Sequence, residues 1–164
     1  HLEMVKSPKY GYGRNMNPCI DCHAMMFRLA GETMQQEGFD FLFSGEVLGQ
    51  RPMSQNANAL RSVAKHSGFP NKVLRPLSAK LLKITPMEEL GLVDREKLLD
   101  IQGRSRKPQQ RYAKEWGYTD YPSSGGGCLL TEVAYSNRLR DQINHNPDST
   151  VTDVELLKVG RQFR

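Results

Sequence analysis

An alternation of helical and strand-like segments in the first half of the chain constrains its fold most. Apolar residues at helical spacing predict a helix over residues 20–37, which Gly38 would end. The apolar run within residues 39–47 predicts a buried strand, a second helix is expected over residues 56–65, and residues 72–77 predict another strand. Because helices that alternate with strands are typical of parallel sheets, we expect the α/β class.

The second half of the chain changes to short helices. Thr85 followed by Pro86 and acidic residues is typical of a helix start. The sequence therefore predicts three regions. They are an α/β domain with the Cys-x-x-Cys over residues 1–78, a helical RNA-contacting segment with Cys128 over residues 79–143, and a linker with the start of a further domain over residues 144–164.

Length and composition exclude some classes of protein. The 164 residues suffice for a real core, and no stretch approaches the roughly 20 apolar residues of a membrane span, so we expect no membrane partner. Three cysteines favour a reducing cytoplasm over a disulfide scaffold. The net charge of +5 allows a polyanionic partner without requiring one.

The cysteines carry the clearest chemical signal. Cys19 and Cys22 form a Cys-x-x-Cys followed by His23, and Cys128 is the third thiol. Thiolates select zinc or iron–sulfur clusters, so Cys19, Cys22 and Cys128 could hold a cluster with one iron left open, or, less well, zinc with a fourth ligand. The cysteines could instead carry out persulfide and disulfide chemistry. The motif Cys-x-x-Cys-His could also attach a haem c, and the three thiols could be incidental.

Two polar segments are candidate binding sites. Glu46, Gln50 and Arg51 lie in the loop after the first predicted strand, where ligands gather at parallel sheets. We expect them to line a nucleotide or target-base pocket, although an ordinary surface loop would show the same composition.

The second segment is basic. Arg104, Arg106 and Lys107 predict contacts with an RNA backbone, and a solvated turn is the alternative. The aromatic residues that follow could stack bases, but aromatic residues at this spacing more often belong to a core. They are Trp116, Tyr118 and Tyr121.

The stretch Asn17-Pro18-Cys19-Ile20-Asp21-Cys22-His23 resembles the Asn-Pro-Cys/Asp-x-x-Cys-Asn signature of tRNA 2-thiouridylases, which are PP-loop ATPases. Four further segments are similar to a bacterial thiouridylase-like branch of that superfamily that often carries the label "tRNA methyltransferase-related". They are residues 44–55, 75–80, 100–106 and 126–131.

The resemblance implies a fold, an activity and partners. The fold would be the C-terminal part of a Rossmann-like, adenine nucleotide alpha hydrolase-like domain, followed by a mainly helical segment. In such enzymes ATP adenylates the uridine carbonyl oxygen and sulfur then displaces AMP. The two catalytic cysteines correspond to Cys22 and Cys128, and relatives that also have a cysteine at the position of Cys19 are thought to hold an iron–sulfur cluster. Implied partners are tRNA, a sulfur donor protein and, as an open option, a second copy in a homodimer.

The pyrophosphate loop Ser-Gly-Gly-x-Asp-Ser of that superfamily is missing from this sequence. We therefore expect the chain to be a fragment whose ATP site lies mostly outside it, either truncated or on another chain. The predicted function is part of an ATP-dependent tRNA sulfurtransferase of the cytoplasm. The alternatives are a non-catalytic zinc- or RNA-binding module and a haem c electron carrier.

Overall fold

The computed structural model describes residues 1–121 and 128–160. Helices dominate these residues: 53% of them are helical and 4% lie in strands or bridges. The α-helices are α1 (Leu2–Lys6), α2 (Cys19–Glu37), α3 (Ala57–His66), α4 (Pro86–Glu89), α5 (Lys107–Glu115), α6 (Val133–His145) and α7 (Val151–Val159). Short 3-10 helices cover Pro76–Leu81, Arg95–Lys97 and Leu129–Thr131.

The sheet is much smaller than predicted. Within the described residues it consists of β1 (Leu42–Phe43) and β2 (Val73–Leu74), which pair in parallel with Leu42 opposite Val73. The prediction of a Rossmann-like, adenine nucleotide alpha hydrolase-like parallel-sheet domain is therefore wrong. Phe39 and Phe43 show the physical reason, because 65% and 74% of their surfaces are exposed, whereas a strand of a covered parallel sheet is buried on both faces.

Local signals place the helix ends close to where the sequence predicted them. The Asn56 side chain accepts a hydrogen bond from the Ala59 amide at 2.9 Å, which caps α3. Thr85 and Glu88 form a reciprocal capping box at the start of α4. Gly38 has a φ of +73° directly after α2, a conformation that glycine adopts without steric cost.

The chain folds as two compact units, and the boundary between them falls within α2 between Cys22 and His23. Among the described residues, unit 1 comprises 1–22 and 128–160, and unit 2 comprises 23–121. This division follows spatial contacts, whereas the regions predicted from the sequence followed changes in composition.

Each unit buries its own apolar residues. In unit 1 the core contains Val5, Met16, Leu130, Tyr135, Leu139 and Leu157. In unit 2 the buried apolar side chains include Val47, Leu60, Val63, Leu74, Met87 and Ile101. Across the part of the chain that the structure describes, no helix combines the length and apolar character needed to cross a bilayer.

Candidate functional site

Two segments that are far apart in sequence are hydrogen-bonded to each other in unit 1. The Met16 amide donates to the Leu130 carbonyl at 3.1 Å, and the Asn15 side-chain amide donates to the Thr131 carbonyl at 2.6 Å. Asn15 adopts a φ of +57°, a left-handed conformation that asparagine tolerates better than most residues. These bonds hold the loop that leads into α2 against the segment that follows Cys128.

Cys22 and Cys128 are brought together by this arrangement. Cys22 lies in the first turns of α2, where its amide donates to the Pro18 carbonyl at 2.9 Å, and its side chain is half-buried. Cys128 precedes a 3-10 helix, its carbonyl accepts from the Thr131 hydroxyl at 2.6 Å, and its side chain is exposed. The two thiols lie close enough that the charge of Cys128 affects the ionisation of Cys22.

The Cys22 thiol is held in its protonated form. Burial raises the pKa of Cys22 above its usual value, and the neighbouring Cys128 raises that pKa further. The Cys22 sulfur lies 3.7 Å from Nε2 of His1. Since the thiolate is the nucleophile in sulfur chemistry, Cys22 must lose its proton before it attacks a disulfide or persulfide bond.

Cys19 is engaged differently. Its thiol donates a hydrogen bond to Oδ1 of the buried Asn17 at 2.6 Å. In residues 1–121 and 128–160, no group of three or more His, Cys, Asp or Glu side chains is arranged to hold a metal ion. An iron–sulfur cluster or, less well, a zinc ion held by Cys19, Cys22 and Cys128 therefore stays a prediction.

A buried charge network surrounds Glu46 in unit 2. Its carboxylate accepts from Arg75 Nε at 2.8 Å and lies 2.8 Å from Nδ1 of His23, while the Ser44 hydroxyl donates to it at 3.2 Å. Burial alone would raise the Glu46 pKa, but the His23 hydrogen bond and the charge and hydrogen bond of Arg75 together lower it below its usual value. Glu46 is thus ionised and internally paired.

The three residues predicted to line a nucleotide or base pocket differ in their exposure to solvent. Glu46 is only 6% exposed and faces Arg75, while Arg51 is exposed to solvent. Gln50 is half-buried, and its side-chain nitrogen has no hydrogen-bond partner among the described residues. The ion pair with buried Arg75 indicates that Glu46 contributes to the stability of unit 2, and a pocket lined by Glu46, Gln50 and Arg51 stays a prediction.

The predicted RNA-contacting residues surround the start of α5. Lys107 is the first residue of this helix and is exposed, Arg104 is exposed in the preceding loop, and Arg106 is half-buried. Arg111 and Lys114 belong to the same cluster of cations in the sequence but were not among the residues predicted to contact RNA, although the spacing 107, 111, 114 is that of one helix face. The same spacing in the sequence would have identified them.

Comparisons with protein-family models, with curated proteins and with solved structures find no match to this chain.

Proposed function

We propose that this chain is the sulfur-transferring part of an ATP-dependent tRNA sulfurtransferase that thiolates uridine, related to the PP-loop tRNA 2-thiouridylases. The observation that carries the proposal is the placement of Cys22 and Cys128 in one unit, within electrostatic reach of each other. Sulfur transfer through a persulfide requires two thiols that can be oxidised to a disulfide and reduced again, and here one thiol is accessible and the other is partly shielded.

The exposed thiol suits the first step. The Cys128 thiolate attacks the terminal sulfur of a persulfide on a donor protein, and the donor leaves as a thiolate, so that Cys128 becomes a persulfide. The exposure of Cys128 makes it accessible to such a protein, whereas the half-buried Cys22 is less accessible.

In the second step the terminal sulfur of the Cys128 persulfide attacks the activated carbon of the uridine, and AMP leaves with the former carbonyl oxygen. The Cys22 thiolate then attacks the Cys128 sulfur, which breaks the sulfur–sulfur bond and releases the thiolated base. A Cys22–Cys128 disulfide remains, and a dithiol reductant returns it to two thiols with two electrons. Splitting the displacement into these steps is covalent catalysis.

The adenylation that activates the base uses ATP, and we place its site mostly outside this sequence. The proposed partners are tRNA and a sulfur donor protein in the cytoplasm, and sedimentation of the purified chain would show whether a homodimer forms.

The test follows radioactive sulfur on the intact chain. The protein is incubated with a cysteine desulfurase and ³⁵S-labelled cysteine, and protein-bound label that dithiothreitol releases is counted. We expect label on the native chain and on Cys22→Ala, and almost none on Cys128→Ala. Cys19→Ala is the matched control and should keep its label.

The intermediates provide a second measurement. Cys22→Ala should accumulate persulfide without forming an intramolecular disulfide, which mass spectrometry distinguishes. Label that persists in Cys128→Ala, or that depends on Cys19 instead, would contradict the assigned roles.

A further inference from the structure

An open concave surface lies on unit 2 along α5 and the residues that follow it. It encloses about 700 Å³, and its lining includes Lys107, Gln110, Arg111, Lys114, Tyr118 and Tyr121. We call this group of six residues the α5 surface. It combines cations and aromatic rings, and no step of the sulfur chemistry uses it.

Positive charge is concentrated on the α5 surface. Lys107, Arg111 and Lys114 project from one helix face and are exposed. Arg111 Cζ lies 5.0 Å from the centre of the Tyr112 ring, and Arg111 Nε lies 3.5 Å from a carboxylate oxygen of Glu115. Because the ion pair with Glu115 is exposed to solvent, it neutralises the charge of Arg111 only weakly.

The surrounding sequence shows the same excess of positive charge. Residues 104–121 contain five cations (Arg104, Arg106, Lys107, Arg111 and Lys114) and two carboxylates (Glu115 and Asp120), a net charge of 5 − 2 = +3. The whole chain carries +5, so this segment supplies a large share of it. Such a concentration of positive charge favours a polyanion at this surface.

Aromatic rings beside the cations are exposed instead of buried. Trp116 is 62% exposed and Tyr118 is 64% exposed, and Tyr121 is also exposed at the end of the concavity. The Trp116 ring lies against the Tyr112 ring, at 5.3 Å between ring centres. Exposed aromatic rings interleaved with cations are typical of surfaces that stack unpaired bases while they hold the phosphate backbone.

We propose that the α5 surface binds a single-stranded segment of RNA, with phosphates along Lys107, Arg111 and Lys114 and bases stacked on Tyr118 and Tyr121. The segment must be unpaired, because the bases of a duplex are already stacked on one another and cannot reach the rings. This inference deepens the proposed function by naming the RNA feature that is bound, and it rests on that function only for the choice of RNA as the polymer.

The first experiment measures binding of a fluorescein-labelled single-stranded RNA of about twelve nucleotides by anisotropy across a salt series, with the same sequence as a duplex for comparison. Arg111→Ala with Lys114→Ala should weaken binding of the single strand about tenfold or more and lower its salt slope by about 1.4 units, since each lost phosphate contact removes about 0.7. The matched control is Arg61→Ala with Lys65→Ala, which removes the same two charges from exposed positions of α3 and should leave the salt slope nearly unchanged.

The second experiment separates stacking from charge. Tyr118→Ala with Tyr121→Ala should weaken single-strand binding about tenfold or more at constant salt slope, while Tyr118→Phe with Tyr121→Phe should restore it because phenylalanine keeps the stacking ring. Heparin, which is an anion without bases, should bind the native and Tyr→Ala proteins equally.

Four results would overturn the proposal: equal affinity for duplex and single strand, equal loss in both cation variants, no effect of removing the tyrosines, or an acidic protein segment that binds more tightly than RNA. The RNA-binding and sulfur-transfer tests fail separately. Cys22→Ala with Cys128→Ala should abolish ³⁵S labelling and leave RNA binding intact. A failure of the sulfur-transfer test would therefore not contradict RNA binding at the α5 surface.

Discussion

Replacing Glu46 by leucine should destabilise unit 2 strongly. The leucine would leave Arg75, whose side chain is 8% exposed, as a buried cation without its carboxylate. Removing one partner of a buried ion pair typically costs about 3–5 kcal/mol. Arg75 would keep its hydrogen bond to the Leu60 carbonyl at 3.2 Å and its position 5.8 Å from the ring centre of Phe27, so we expect a loss of about 3 kcal/mol.

Urea unfolding followed by fluorescence measures this loss. Trp116 is the only tryptophan of the chain and lies in unit 2, so its emission reports on the correct unit. Glu32→Leu is the matched control, because Glu32 pairs with Arg28 at 3.9 Å on an exposed helix face and its loss should cost less than about 1 kcal/mol.

A double change and a pH series distinguish a charge effect from a packing effect. Glu46→Leu with Arg75→Met removes both charges and should be less destabilising than Glu46→Leu alone. The pKa of Glu46 is lower in the folded protein than in the unfolded chain. Its carboxylate therefore contributes to the free energy of unfolding above the ordinary glutamate pKa of 4.5, and this contribution is lost as pH falls through the pKa of the folded state. Equal losses in the single and double variants, with no dependence on pH, would refute the reasoning.

Two further substitutions test the thiol site and the packing of α2. Cys128→Ala should lower the apparent pKa of Cys22, because it removes a neighbouring negative charge. The pH dependence of iodoacetamide alkylation at Cys22 measures this pKa. An unchanged profile would show that the two thiols do not interact. Gly31→Ala would push a methyl group into the Phe69 ring and should cost about 1–3 kcal/mol by urea unfolding. Phe69→Val should relieve much of that cost, whereas a gain in stability from Gly31→Ala alone would refute the predicted clash.

Sequence reasoning succeeded where the signals are local. The start of α4 follows from Thr85 and Glu88, which lie three residues apart, and the end of α2 follows from Gly38. Such signals act within one turn and do not depend on the rest of the fold.

The extent of the sheet could not be predicted in the same way. A strand is stabilised by partners that are distant in sequence, and among the described residues the apolar run at Phe39 to Phe43 pairs through Leu42 and Phe43 with Val73 and Leu74. The role of Glu46 depends on Arg75 for the same reason, since nothing near Glu46 in the sequence indicates that an arginine 29 residues later will neutralise it.

The candidate site was partly predictable. Helical spacing alone would have extended the basic site from Lys107 to Arg111 and Lys114. The exposure of Tyr118 could not be inferred, because an aromatic residue at this spacing more often belongs to a core. The pairing of Cys22 with Cys128 came from the resemblance to thiouridylases, and spacing alone left it open.

The hydrogen bonds between Met16 and Leu130 and between Asn15 and Thr131 have a consequence for biosynthesis. Unit 1 is assembled from both ends of the described chain, whereas unit 2 is continuous and is completed on the ribosome first. At about 5–20 residues per second, the roughly one hundred residues between Cys22 and Cys128 take on the order of 5–20 s to translate. During that interval Cys22 lacks Cys128, so the site formed by these two thiols is completed only after unit 2 has been translated.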